Sequence, residues 1–473
     1  MNDISPLLKI FIVFTLMLAM GRLRVPLFLS LILGGLAINW WGVHSAREVF
    51  KNFMQAMAQI NLWLLVAVTA LAVEFGRELA DKKNAGTMAS LAQRLGGKSG
   101  RLWSMMLMPS LVGLMPMPAG ALFSAPLVQQ NAHEDHWKPE WKAAVNYWFR
   151  HVWEYWWPVY PVVIIGIAVL KMDTWRFIAT MIAFTPATFL FGYYWLLRPY
   201  RRELVSSETK KSASLAPFFR LMLPLLVVIA LVLALPPLFS TVLPACDQQT
   251  TKLLAMLLGI IGGLLIIWRR TEKKKLNRAT DGNSSVILRG AKDLRHADTT
   301  TEIPRCARND NPIFKTPRLT SLSFLKPHNL SILLTVGCIM LFQYLLESSG
   351  LLPAAAREMV NSGFSLIPIV AILPFLAGFV TGVASTIAGI AFPLIAGLLA
   401  CDANGLTPMA TLALAFGFGY MGMMTSPIHL CLIMTRDYFS AKLLPIYRQI
   451  ALCVISQLIF TILAFMLLRA LKM

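Results

Sequence analysis

The chain has 473 residues, of which 57% are hydrophobic and 14% charged, with a formal net charge of +20. Soluble domains carry about 25% charged residues, so the composition argues against a cytosolic enzyme and excludes a disordered or collagen-like chain. In a soluble protein such a charge points to nucleic acid; here it sits in a few loops between apolar runs, which speaks for membrane orientation and against a nucleic-acid partner.

A membrane helix takes roughly 20 mostly apolar residues. Ten runs qualify: 5–20, 24–41, 58–76, 143–170, 176–197, 217–240, 251–268, 329–346, 408–435 and 445–470. They are continuous rather than alternating, which predicts helices and excludes a closed barrel. The first lacks a small-residue cleavage site before Arg22 and Arg24 and reads as a retained helix. Two further stretches do not fit as simple spans. Residues 102–128 carry no charge but hold Pro109, Pro116, Pro118 and Pro126, and 366–400 hold Pro368, Pro374 and Pro393. Each interior proline deletes a backbone donor, and one straight helix over 102–128 would run about 40 Å through a core of about 30 Å. Both are expected to be re-entrant helical hairpins.

Charge supports that topology. The loops 77–101, 198–220 and 269–318 carry +15 together, against −1 for the loops 42–57, 171–175, 241–252, 346–363 and 401–407. They share the cytoplasm only if both odd stretches turn back. The expected fold is therefore all-α and polytopic, about ten transmembrane helices plus two re-entrant hairpins in an inverted repeat, with both termini periplasmic. Its parts are a first repeat 1–197 with hairpin 102–128, a basic cytoplasmic linker 198–216, the start of the second repeat 217–268, a disordered basic cytoplasmic insert 269–328, and the rest of the second repeat 329–473 with hairpin 366–400. The repeat shows in the breaks: Pro126 and Pro393 are 267 residues apart, and Pro158 and Pro427, in WWPVYP and TSPIHL, are 269 apart. Interrupted segments at matched places in two halves point to a transporter binding site.

No GxSxG, HExxH or Walker motif is present, so neither an enzyme constellation nor ATP use is expected. The six cysteines (246, 306, 338, 401, 431, 453) show no metal spacing and read as free thiols; no metal and no cofactor is expected beyond Na+ or H+ as coupling ion. Dipoles at the breaks supply the solute contacts. The first hairpin tip offers Ala119, Gly120 and the Ser124 hydroxyl; the second offers Thr381, Gly382, Ser385 and Thr386; the last break offers Thr425, Ser426 and His429. Small and hydroxylated residues also pack membrane helices, so packing and solute contact both remain open for each. Asn146, Arg150 and Glu154 fall at i, i+4, i+8, one helix face, with His151 beside them. Trp148, Trp153, Trp156 and Trp157 around them fit an interfacial belt, in which Arg150 and Glu154 pair near the headgroups; placed deeper, Arg150 would neutralise an anion and Glu154 hold a proton.

The stretches GLMPMPAGALFSAPLV, NYWFRHVWEYWWPVYP, GFVTGVASTIAGIAFPLI and GFGYMGMMTSPIHLCL resemble a domain-of-unknown-function family of prokaryotic membrane proteins. That family is grouped with the ion transporter superfamily, alongside dicarboxylate/sodium symporters, citrate transporters, gluconate permeases and arsenite carriers. The similarity covers most of the chain outside 269–328. It implies a scaffold domain, a mobile transport domain carrying both hairpins, elevator-type alternating access and a homodimer. Where the dicarboxylate symporters carry Ser-Asn-Thr signatures at the hairpin tips, this sequence has MPMPAG and TGVAST. The expected function is a secondary transporter of the inner membrane moving a small anionic solute. A passive permease on the same fold and a membrane-embedded enzyme are the alternatives, and the expected partners are the solute, membrane lipid and a second copy of the chain.

Overall fold

The computed structural model describes residues 4–23, 25–79, 100–114, 121–132, 137–201, 216–242, 244, 246–293, 327–361, 365–400 and 406–472. Every regular element among them is helical, as buried backbone in continuous apolar runs requires. In chain order the helices are α1 (Pro6–Arg22), α2 (Leu27–Val43), α3 (Ala46–Met57), α4 (Ile60–Leu79), α5 (Gly100–Gly113), α6 (Ala121–Asn131), α7 (Pro139–Arg150), α8 (Pro161–Val169) and α9 (Thr174–Tyr200). They continue with α10 (Ala216–Val242), α11 (Gln248–Asp293), α12 (Pro327–Ser348), α13 (Leu351–Asn361), α14 (Ile367–Thr381), α15 (Ala384–Leu399), α16 (Pro408–Met424), α17 (Leu430–Tyr438) and α18 (Leu443–Ala470).

Among the described residues, six helices are long and apolar enough to cross a bilayer, so the chain is a multi-pass membrane protein: Ile60–Glu78, Thr174–Tyr200, Met222–Val242, Gln248–Arg270, Leu330–Ser348 and Leu443–Ala470. Each coincides with an apolar run in the sequence. α1 and α2 have 17 residues each, about 26 Å. The runs 143–170 and 408–435 are not single helices. Pro427, three residues past Met424, forbids α16 from continuing, and Pro158 and Pro161 bracket the end of the first interruption, with Pro161 at a helix start where no intrahelical donor is needed.

Two differences from the sequence expectations concern polar segments. Asn146, Arg150 and Glu154 do not share one continuous helix face, because α7 ends at Arg150 and Glu154 lies in the turns that follow. The stretch expected to be disordered from 269 is helical as far as Asp293 in α11, with four Lys, four Arg and no proline before Pro304; residues 294–326 lie outside the described residues.

The helices sort into two packed groups. One holds α1–α4 and α10–α13, with α2 along α12 and α11 against α4 and α10; the other holds α5–α9 and α14–α18, with α14 along α16 and α18 against α7 and α16. Helix order also recurs. Ile60 and Pro327, and Gly100 and Ile367, start helices 267 positions apart; Pro139 and Pro408, Pro161 and Leu430, and Thr174 and Leu443 start helices 269 apart. The helix pairing recurs with it: a Cβ on Gly113 of α5 would lie 2.1 Å from the carbonyl oxygen of Arg150 at the end of α7, and one on Gly378 of α14 would lie 2.3 Å from that of Gly419 in α16; Arg150 and Gly419 are 269 apart, the two glycines 265.

In the first group, buried Asn39 of α2 donates to the Leu345 carbonyl oxygen (2.8 Å) and to Ser348 (2.9 Å), and accepts from Asn52 (3.2 Å). Interhelical polar contacts in membranes are worth roughly 0.6–2 kcal/mol. Asn39→Ala is therefore expected to lower stability by about 1–2 kcal/mol, read as a lower melting temperature in detergent. An unchanged melting temperature would show that water replaces the amide.

Candidate functional site

The break after α7 and the break after α16 meet inside the second group, and each brings polar side chains into an otherwise apolar interior. α7 starts with Pro139 and stops at Arg150, so His151, Glu154 and Tyr160 occupy turns rather than helix. α14 stops at Gly382, whose φ of +66° is the left-handed conformation that glycine adopts freely. α16 stops at Met424, and the turn through Ser426 and Pro427 delivers His429 to the start of α17.

Arg150 is 1% exposed, His151 2%, His429 7% and Glu154 8%. The tryptophans expected as an interfacial belt pack against the same interior. Trp148 is fully buried, its indole N–H donating to the Thr188 carbonyl oxygen (2.9 Å). Trp153 donates to the carbonyl oxygen of Ser110 (2.9 Å) and Trp156 to the Thr185 hydroxyl (2.8 Å). The indoles bind protein groups, and the charges beside them are buried within the protein.

The polar network is continuous. Arg150 Nη1 is 3.9 Å from Glu154 Oε1, and His151 Nε2 is also 3.9 Å from that oxygen. Tyr420 donates from its hydroxyl to Glu154 Oε2 (2.9 Å), with the His151 carbonyl oxygen at the same distance. Arg150 also bonds the Tyr160 hydroxyl, which donates in turn to the Gly113 carbonyl oxygen. The two imidazoles face each other, Nε2 to Nε2, at 3.2 Å. His151 Nδ1 is 2.7 Å from the Tyr147 carbonyl oxygen, and His429 Nδ1 is 2.6 Å from that of Gly382. The Cys431 thiol lies within 4.8 Å of both facing nitrogens.

Of the residues singled out in the sequence, Gly382, Ser426, His429, Arg150 and Glu154 come together here. A Cβ on Gly382 would meet the His429 amide nitrogen at 2.9 Å and Ser426 Oγ at 3.0 Å. Ser426 is fully buried, and its hydroxyl has no hydrogen-bond partner among the described residues. Ser124 joins at the edge: its hydroxyl and the Asn146 amide both donate to the Ala121 carbonyl oxygen, at 3.3 and 3.1 Å. Thr381 and Thr425 do not present free hydroxyls, since each bonds a carbonyl oxygen one turn back in its own helix. Thr386 is buried at the start of α15 and Ser385 beside it is half-buried. Ala119 and Gly120 lie outside the described residues.

His151, Tyr160, Tyr420 and Cys431 were not marked as site residues by sequence reasoning. Tyr160 and Cys431 each lie within two residues of a residue at a recognised break, Pro158 and His429, which is the one signal that would have found them. A hollow of about 330 Å³ lined in part by Lys171, Asp247, Gln249 and Lys252 shares no residue with this cluster.

Among curated proteins, no sequence matches the chain. A family model described as "Protein of unknown function (DUF401)" matches residues 3–259 and 320–468, most of the chain, and the chain belongs to that family. The unmatched residues 260–319 overlap the basic segment that follows the apolar part of α11.

Proposed function

We propose that this chain is a secondary transporter of the inner membrane that moves a small anionic solute, coupled to Na+ or H+, by elevator-type alternating access. One observation carries the reading: Arg150, His151, Glu154 and His429 are buried together where two chain breaks meet, and those breaks hold equivalent places in two copies of one helix order. Ionisable groups inside a bilayer are costly and mark solute or ion pathways, and broken helices at matched positions are where secondary transporters bind. Arg150 supplies the positive charge for the anion. The buried Ser426 hydroxyl and Asn146 Oδ1, both without partners among the described residues, are polar atoms left for the solute.

In this reading ten spans and two re-entrant hairpins, α5–α6 and α14–α15, form an inverted repeat. The arms α5, α6 and α14 have 14, 11 and 15 residues, about 21, 16 and 22 Å, short of a core of about 30 Å. The basic loops then share the cytoplasm and both termini face outward. Residues 269 positions apart touch at two places: Thr188 with Gln457 (3.2 Å), and Tyr420 with the backbone of His151. Equivalent residues of a twofold repeat meet only near its axis. The two helix groups suit a unit of α5–α9 and α14–α18 that slides against the other group, which would also carry the homodimer contact.

The test is a thermal-shift screen of the purified full chain against small carboxylates and inorganic oxyanions, with and without Na+. A ligand that binds only the folded state raises the melting temperature, by about 2.7 kcal/mol of stabilisation at a hundredfold excess over Kd. At least one anion is expected to do so, and Ser426→Ala and Arg150→Ala are expected to abolish the shift. Equal shifts in wild type and both variants would remove the anion site. Uptake into vesicles that ignores both ion gradients would make the protein a passive permease.

A further inference from the structure

The facing histidines pose a problem that no hydrogen bond between two neutral rings solves. A carbonyl oxygen only accepts, so the contacts to Tyr147 and Gly382 place the hydrogen on Nδ1 of both rings. With both rings neutral, each Nε2 is an acceptor, and the two point at each other across 3.2 Å. A cation shared between them, whether a proton or a metal ion, turns that contact attractive. A third soft donor, the buried Cys431 sulfur, hydrogen-bonds His151, and one ligand atom from each of the three residues lies within 4.8 Å of the others.

We propose that His151 Nε2, His429 Nε2 and Cys431 Sγ form a binding site for a late first-row transition cation of the zinc type. Tetrahedral Zn2+ holds nitrogen at about 2.0–2.1 Å and sulfur at about 2.3 Å. That geometry sets two nitrogen ligands roughly 3.3 Å apart, close to the 3.2 Å found. The same geometry sets the sulfur roughly 3.6 Å from each nitrogen, inside the 4.8 Å that bounds the group. Each ring already donates its other nitrogen to a backbone carbonyl, the outer contact that fixes tautomer and direction in metal-bound histidines. Cys431 gives up its thiol proton to solvent when the ion binds. Three ligands leave a fourth position, and Glu154 Oε1, 3.9 Å from His151 Nε2, stands beside it. With Zn2+, a thiolate, ionised Glu154 and Arg150, the centre carries one net positive charge. The ligands come from positions 151, 429 and 431, so an ion here fastens the break after α7 to the break after α16.

The experiment uses the purified full chain, stripped with a chelator, desalted and reloaded with one equivalent of Zn2+, or of Co2+ as a spectroscopic probe. About one Zn2+ per chain is expected to survive a second desalting, and Mg2+ is expected not to. Co2+ is expected to give tetrahedral visible absorption together with a near-ultraviolet sulfur-to-cobalt band. Cys431→Ser is expected to erase that band, and His429→Ala to cut Zn2+ retention at least tenfold. Cys246→Ser, whose thiol lies outside the cluster, is expected to keep both signals. The cobalt spectrum is read on wild type, so the test stands even if a variant fails to fold. No retention by wild type, a cobalt spectrum without the sulfur band, or equal retention in wild type and a folded His429→Ala would overturn the site. Anion-induced melting shifts are a separate readout, and the metal site and the transport reading fail independently.

Discussion

Arg150→Ala is expected to destabilise the protein by about 3–5 kcal/mol, the range for breaking one side of a buried ion pair. The size follows from what remains rather than from what is lost. Glu154 is 8% exposed, and with the guanidinium gone its carboxylate keeps the Tyr420 hydroxyl but loses the counter-charge 3.9 Å away. Removing both charges together is expected to recover much of the loss, because apolar or neutral replacements of a buried pair are often tolerated. The check is a double-mutant cycle of Arg150→Met and Glu154→Gln, followed by denaturant unfolding in detergent. A coupling below about 0.5 kcal/mol would mean that the two groups act separately.

The second large effect lies at the crossing of α14 and α16. A Cβ on Gly422 would fall 2.1 Å from the carbonyl oxygen of Phe375, and one on Gly378 would fall 2.3 Å from that of Gly419. The obstacles are backbone atoms of two packed helices, so relief requires the helices to part. Overpacking typically costs about 1–3 kcal/mol and occasionally more. Gly378→Val and Gly422→Val are expected at or above the top of that range, seen as loss of folded protein on size exclusion or a steep fall in melting temperature. Gly21→Ala is the contrast: its Cβ would meet only the Thr381 methyl, at an ordinary 3.5 Å, and replacing a helical glycine there is expected to be neutral or slightly stabilising. Wild-type stability in Gly378→Val would show that the two helices are not in close contact in the membrane.

Length and apolar continuity made the long helices legible, since a 20-residue apolar run has few other fates. Proline made the breaks legible too, because Pro158 and Pro427 act locally and need no knowledge of the fold. The chemistry was less accessible. Arg150 and Glu154 were paired on the assumption that helix continues through both; it ends at Arg150, and the turns after it keep the two within 3.9 Å. The thiol and the imidazoles were missed as a group because ligand motifs were sought by short spacing, whereas His151 and His429 meet from 278 positions apart. The Thr381 and Thr425 hydroxyls each donate to a carbonyl oxygen one turn back, a bond that residue type cannot reveal.

The constant spacing of 269 also lets each residue of α7 and its break be matched with a counterpart. Arg150, His151 and Glu154 correspond to Gly419, Tyr420 and Met423. The first segment carries the charges, while the matched residues are uncharged, with Tyr420 reaching across to steady Glu154. Such a division of labour makes the matched segments unequal: an arginine transplanted to position 419 would have its Cβ 2.6 Å from Ile387 and 3.0 Å from Pro374, so the second segment has no room for the side chain that the first one holds.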